Sequence, residues 1–380
     1  MVTRSVFNKS VLLLFTVLIL IINVAGCDGN KESWNPGQPL AKEDVVVAVL
    51  YLDALESGWS TAHDMGILEM QSVFGLNDDQ IIRLLNVHDS DITMTEHFIE
   101  TAISQGANVI IATSFGFMDA CEKMAERHPN VVFAHASGYK YNDTNFTNYF
   151  GSIYQARYLA GVSAGMLTQA NKIGYVAAHG TSSSEVTSGI NAFAMGISSV
   201  NPDAEVVVSI THNWFDPAGE RRAAQRLIAE GCDIITQHVD TLNPQIEAEA
   251  AGIRSIGYNI DVSHVAPNAM ITSAVWYWDS YYTYLIGSII DGSFTTAPFY
   301  GDLKSGLVDI LPLRPFGTIP EVEMAVSEAR NKIINNELFI FDGTILTNDG
   351  TEIIINMASS TPREIVNSIN WYYRNVQVLH

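Results

Sequence analysis

From Val45 onward the chain alternates two hydrophobic patterns. Short continuous apolar runs, VVVAVL (Val45–Leu50), NVIIATS (Asn108–Ser114) and NVVFAHAS (Asn130–Ser137), have the β-branched character of strands buried on both faces. Between them lie helical patterns. In DITMTEHFIETAISQG, Ile92, Phe98, Ile99 and Ile103 share one face and Gly106 supplies the stop. MDACEKMAERHP continues the rhythm, which predicts βαβ units and a parallel sheet with right-handed crossovers. The polar and aromatic stretch GYKYNDTNFTNYFGS interrupts it.

The alternation then resumes. QARYLAGVSAGMLT is a helix rich in small residues, KIGYVAA a strand, and SEVTSGINAFAMGISSV a helix opened by a Ser/Glu cap region. AEVVVSI, DPAGERRAAQRLIAEG, CDIITQHVD, NPQIEAEAAG and IRSIGYNID extend it. Two α/β lobes are expected, residues 44–150 with part of 277–310, and residues 151–276 with part of 311–380. GLVDILPL and PEVEMAVSEARNKIINNEL would complete a lobe.

The N-terminal pattern is different. MVTRSVFNKSVLLLFTVLILIINVAGC places Arg4 and Lys9 before an apolar run, Val11–Ile22, and ends in small residues and Cys27, the layout of a secretory signal. VAGC resembles a lipobox, so residues 1–27 are expected to be a lipoprotein signal with Cys27 the lipidated residue. Two acyl chains suffice for stable attachment. Residues 28–43, polar with two prolines, are expected to be a flexible tether. No apolar stretch of about 18 residues follows Cys27, so a membrane-embedded role for the mature chain is excluded.

Charge and cysteines narrow the field. Against 20 Lys and Arg stand 41 Asp and Glu, a net −21, which argues against a nucleic-acid partner. With Cys27 lipidated, Cys121 and Cys232 remain, and sequence shows no pairing between them. No Cys/His cluster has metal-ligand spacing, and no cofactor motif appears.

Two parallel-sheet lobes aim their strand C-termini at one crevice. Just past predicted strands lie Trp59, Ser60 and His63, in the loop after the first strand. The same holds for Ser114, Phe115, Ser137, Tyr139, His238, Asp240, Asn259, Asp261 and Trp276. No nucleophile elbow, P-loop lysine or HExxH motif accompanies them, so no catalytic residue is assigned and a binding cleft is preferred. Aromatic faces stack on planar rings, and His, Asn, Ser and Asp can hydrogen-bond a ring edge. Trp214, between a strand and a helix, is expected to pack beneath the cleft.

The motifs SGWSTAHDMG, ATSFGFMDA, GSIYQARYLAGVSAGM, GINAFAMGISSVNPDA, WFDPAGERRAAQRLIAEGCDIITQH and SIGYNID, in that order, resemble the basic membrane protein (BMP/Med) family. These are lipid-anchored substrate-binding proteins of ABC transporters. The resemblance runs from about Val45 to Leu379. It implies the type I periplasmic-binding fold, two doubly wound lobes joined by three crossovers around a hinged cleft. It also implies a purine ligand, a monomer, an extracytoplasmic location, and separate permease and ATPase chains as partners.

Where the nucleoside-binding branch has Phe-Asn, this chain has Trp59-Ser60; where that branch has a ribose-contacting Asp and Lys, it has Asn259 and Trp276. Charge-assisted hydrogen bonds are about twice as strong as neutral ones. The resemblance therefore implies a free purine base such as adenine, with Trp276 filling the ribose space. The alternatives are a nucleoside held by Asp240 or Asp261, a sensor or regulator without transport, and, as the weakest, a nucleosidase.

Overall fold

The computed structural model describes residues 34–379 with the exception of Phe316; the signal, Cys27 and residues 28–33 of the expected tether lie outside them. Strands β1 (Val47–Leu50), β2 (Ile81–Leu84), β3 (Val109–Ala112), β4 (Val132–Ala136) and β5 (Phe146–Gly151) come first, with helices α1 (Gly58–Phe74), α2 (Ile92–Ser104) and α3 (Met118–Arg127) between the first four. Helix α4 (Ile153–Leu167) leads into β6 (Lys172–Ala177), α5 (Ser184–Val200), β7 (Glu205–Ile210), α6 (Pro217–Ala229) and β8 (Ile234–His238). Helix α7 (Asn243–Ala251), β9 (Arg254–Asn259), β10 (Met270–Trp276) and α8 (Trp278–Asp291) follow. The chain ends with β11 (Phe299–Gly301), β12 (Val308–Ile310), α9 (Pro320–Ile334), β13 (Gly343–Leu346), β14 (Glu352–Ile355), α10 (Pro362–Ser368) and β15 (Val376–Val378).

The first sheet runs β11-β5-β4-β3-β1-β2 and is wholly parallel. The second runs β12-β10-β9-β8-β6-β7-β15, with β12 antiparallel to β10, and β13 and β14 form a separate hairpin. At the heart of both, the strands repeat one doubly wound order, β2-β1-β3-β4-β5 and β7-β6-β8-β9-β10. Each order reverses at one place, between β1 and β3 and between β6 and β8, and crevices open there at the strand C-termini.

Local chemistry explains the elements. Every residue of β1 is fully buried, as a strand covered on both faces requires. Asp91 and Asp216 accept N–H bonds from Met94 and Gly219 at the starts of α2 and α6, and Pro217 sits in the first turn of α6. The chain crosses between sheets after β5, after β10 and again between β11 and β12. The crossovers are tied together: Ser152 N–H donates to the Gly301 carbonyl and Tyr277 N–H to the Leu307 carbonyl, both at 2.8 Å.

Two stretches differ from expectation. Tyr51–Gly66 is not a loop throughout: from Gly58 it is α1, with Gly58, Ser60, Ala62, His63 and Gly66 on the buried face. That face meets the other lobe as well as the core, so its polar residues masked the helical period. GYKYNDTNFTNYFGS contains β5, buried at every residue. Its polar side chains find distant partners, Thr147 donating to the Ala297 carbonyl (3.2 Å) and Asn148 Oδ1 accepting from Arg363 (2.7 Å), which no local pattern reveals.

The small residues of α4 have a packing role. A Cβ on Gly161 would lie 2.1 Å from the Phe193 carbonyl oxygen of α5, and one on Gly196 would lie 2.2 Å from that of Tyr158. Backbone therefore packs on backbone. Gly161→Ala is expected to lower stability by about 1–3 kcal/mol, the overpacking cost outweighing the gain in helix propensity of about 1 kcal/mol. Gly287→Ala in α8, whose Cβ would meet Phe74 at an ordinary 3.4 Å, should be neutral or slightly stabilising. Urea midpoints of the two variants, compared at unchanged slope, check both.

Candidate functional site

A cavity of about 350 Å³ opens between the lobes at the two places where strand order reverses. Leu52, Asp89, Thr113–Gly116 and Ser137 line it from the first lobe. Glu185 at the start of α5, Trp214 between β7 and α6, Asp240 after β8, and Tyr258 of β9 line it from the second. Trp59, in the first turn of α1, completes the wall, and next to it the lobes touch, Gly58 N–H donating to the Asp240 carbonyl at 2.9 Å.

Trp59 is fixed on both sides. Its Nε1 donates to the Thr113 carbonyl (2.8 Å), and its ring stands edge-on to Trp278, 5.5 Å away at 81°. Behind it, three rings stack: His63 on Trp278 (4.4 Å, 13°) and Trp278 on Trp276 (4.5 Å, 9°). Across the cavity, Trp214 lies edge-on to His179 and His238 at 5.6 and 5.7 Å, and its carbonyl accepts the Asp240 N–H at 2.8 Å. Phe115, 53% exposed, stands at the mouth beside Tyr139.

The polar lining is acidic. Asp89, Glu185 and Asp240 border the cavity, and none of the residues lining it is Lys or Arg. Ser114 Oγ donates to Asp89, whose approach needs Gly116, because a Cβ there would lie 2.6 Å from the carboxylate. Burial raises the Asp240 carboxyl well above its usual range, Asp53 and Glu220 add to this, and the Asn259 amide, donating to it at 3.1 Å, works the other way. Burial also pushes Glu185 up to about 7, against the pull of Arg157. Arg157 is itself buried, its guanidinium 4.1 Å from the centre of the Tyr258 ring and its Nη1 donating to the Gln237 carbonyl at 2.6 Å. His238, 3.7 Å from Glu185, is held well below the usual imidazole range by burial, then by Arg157 and His179. Together these give hydrogen-bond acceptors placed between aromatic faces. Among the described residues no group of His, Cys, Asp or Glu has the geometry of a metal site.

Of the residues singled out in the sequence, Trp59, Ser114, Phe115, Ser137 and Asp240 line this cavity. The others do not. Ser60 and His63 are buried on the inner face of α1, with His63 Nδ1 against the Tyr282 hydroxyl. His238 lies behind the wall, bonded to the Tyr175 hydroxyl at 3.2 Å, and Tyr139 stays outside the rim, 61% exposed. Asn259 reaches Asp240 from behind. Asp261, ion-paired with Arg314, and Trp276 border a second cleft instead. Trp276 thus closes the hinge end from behind Trp59 and does not project into the cavity. Trp214, expected beneath the cleft, is part of its wall.

Asp89, Glu185 and Tyr258 were missed. Asp89 lies five residues past β2, within reach of the strand-end rule but in a longer loop. Glu185 looks like a helix cap, and Tyr258 lies inside a strand.

Residues 44–344 match the Bmp family, described as PnrA-like ABC transporter substrate-binding proteins. A putative ABC transporter glucose-binding protein of Haloferax volcanii is 33% identical over 87% of this chain and 83% of its own length. A purine-binding protein of Brucella abortus is also 33% identical, over 83% of this chain and 88% of its own. The solute-binding protein of an ABC transporter system from Conexibacter woesei shares the fold, with a TM-score of 0.66 at 18% identity, over 78% of this chain and 98% of its own. The fold is thus the two-lobed α/β fold of periplasmic solute-binding proteins, and the chain belongs to the Bmp family of ABC transporter substrate-binding proteins.

Proposed function

We propose that the chain captures a free purine base in the first cavity, outside the cytoplasmic membrane, and delivers it to an ABC permease. One observation carries the reading: an interlobe cavity of about 350 Å³ combines two tryptophan walls with carboxylate acceptors and no lining cation. The tryptophans offer faces for a flat heterocycle. The carboxylates accept its N–H donors, and a free base keeps the N–H that a nucleoside loses to its sugar. Trp276, expected to fill the ribose space, stacks on Trp278 outside the cavity lining, so the preference for a base rests on its N–H donors. The Brucella abortus relative, named as purine-binding, supports this class of ligand. A lipid anchor at Cys27, supported by the sequence alone, would hold the protein at the membrane surface.

A second reading follows from the same carboxylates. Asp89, Glu185 and Asp240 are also suited to sugar hydroxyls, and the Haloferax volcanii relative is named for glucose. Calorimetric titration with adenine, guanine, hypoxanthine, adenosine, guanosine and glucose separates the two. We expect saturable binding of a base with no gain from ribose; tighter adenosine or glucose binding overturns the free-base reading and leaves the family intact. Trp214→Ala should weaken the bound base by about 10- to 100-fold, the equivalent of about 1–3 kcal/mol of stacking per base.

Glu185 sets a pH dependence. With its carboxyl pushed up to about 7, it passes from mostly protonated to mostly ionised between pH 6 and pH 8. Ring N–H donors bind the ionised form. Adenine affinity should therefore rise across this window, and binding near pH 7 should release protons, measurable by calorimetry in buffers of different ionisation enthalpy. Glu185→Gln should flatten the profile.

A further inference from the structure

A second cleft of about 340 Å³ lies on the other side of the tryptophan stack. It too takes its walls from both lobes. Ala62, Met65 and Glu69 form a stripe along α1, Asp279 stands in the first turn of α8, and Asn259 and Asp261 close the far wall at the end of β9. From Ala62 to Glu69 the helix rises about 10 Å at 1.5 Å per residue, so the cleft is elongated. Its floor is apolar, made by Val275, Leu311 and the tryptophan stack.

The cleft is acidic and none of its lining residues is Lys or Arg. Arg314 pairs with Asp261 from outside the lining. Glu69 and Asp279 face no such partner within it, and burial, then the Glu69 charge, raises the Asp279 carboxyl.

Asn259 supplies a second, independent sign. It is 1% exposed and its backbone is left-handed, with φ of 67°. One arm of its planar amide, Nδ2, donates to Asp240 on the first cavity. The other, Oδ1, is buried without a hydrogen-bond donor, on a residue that lines the second cleft. A buried acceptor left open beside carboxylates and an apolar floor suits a ligand with N–H donors at both ends and methylenes between.

We propose that this cleft binds an aliphatic diamine, one ammonium between Glu69 and Asp279 and the other at Asn259 Oδ1 and Asp261, its methylenes on Met65 and the Trp276 edge. Because Asn259 also holds Asp240, a donor on its Oδ1 strengthens the Nδ2–H···Asp240 bond. The two sites are then coupled, each changing the other's affinity by the same factor. The proposal does not depend on which ligand the first cavity takes.

The test is calorimetric titration of the full chain with 1,4-diaminobutane, with 1-aminobutane and 1,4-butanediol in parallel. Expected are saturable binding of the diamine, weaker binding of the monoamine and none of the diol. The Glu69→Gln/Asp279→Asn variant, close in shape to the parent, should lose about tenfold or more in diamine affinity and keep its base binding. Trp214→Ala should leave the diamine titration unchanged. No saturation up to about 10 mM, a monoamine as tight as the diamine, or a signal that survives the double charge removal would each overturn the proposal. Loss of the signal in Trp214→Ala would do the same, by placing the diamine in the first cavity.

Discussion

The stack of His63, Trp278 and Trp276, with Trp59 set against it edge-on, is the contact on which the rest of the molecule turns. It draws on α1 of the first lobe, the last residue of β10 in the second, and the start of the helix that returns the chain to the first. It therefore sits where the lobes are joined. Aromatic rings of this size remove large apolar areas from water, and offset or edge-on arrangements add about 0.5–1.5 kcal/mol per pair. The stack keeps His63 buried and holds its pKa well below the usual range, so the ring stays neutral and no charge is trapped at the hinge. One side of this block is the wall of the first cavity and the other side borders the second.

Around it the electrostatics follow one rule. Carboxylates crowd both interlobe spaces while Arg157, over the Tyr258 ring, stays out of the lining of the first. Such a site pays for unbalanced charge by raising carboxyl pKa values, as at Asp240 and Glu185, and it relaxes when a donor-rich or cationic ligand enters. The left-handed backbone at Ser137 and Asn259, both at strand ends, is the local cost of aiming side chains there.

Much of this architecture is written in the linear pattern. The continuous apolar runs of β1, β3 and β4 and the capped, one-faced helices between them define parallel α/β lobes without reference to any contact. Strand ends then nominate a cleft, and five of the nominated residues, Trp59, Ser114, Phe115, Ser137 and Asp240, do line it. What failed had a common cause. The pattern of β5 was hidden because its buried Thr147 and Asn148 are satisfied by Ala297 and Arg363, remote in sequence, and α1 was read as a loop because its inner face meets polar groups of the other lobe.

The sequence by itself determined the class of fold, the two lobes, the acidity and the family, because these follow from period, composition and ordered motifs. Only the tertiary structure decided which side of the tryptophan stack each residue occupies. His238, Asn259 and Trp276 end their strands and His63 follows one, at the same end of the sheets as Trp59 and Asp240, yet they stand behind the wall. Glu185 and Tyr258 carry no cue of their own, Asp89 only its place in the loop after β2, and all three stand in front of it. A position past a strand fixes only the end of the sheet at which a side chain emerges. Which cavity it enters depends on how two lobes, folded from distant segments, meet.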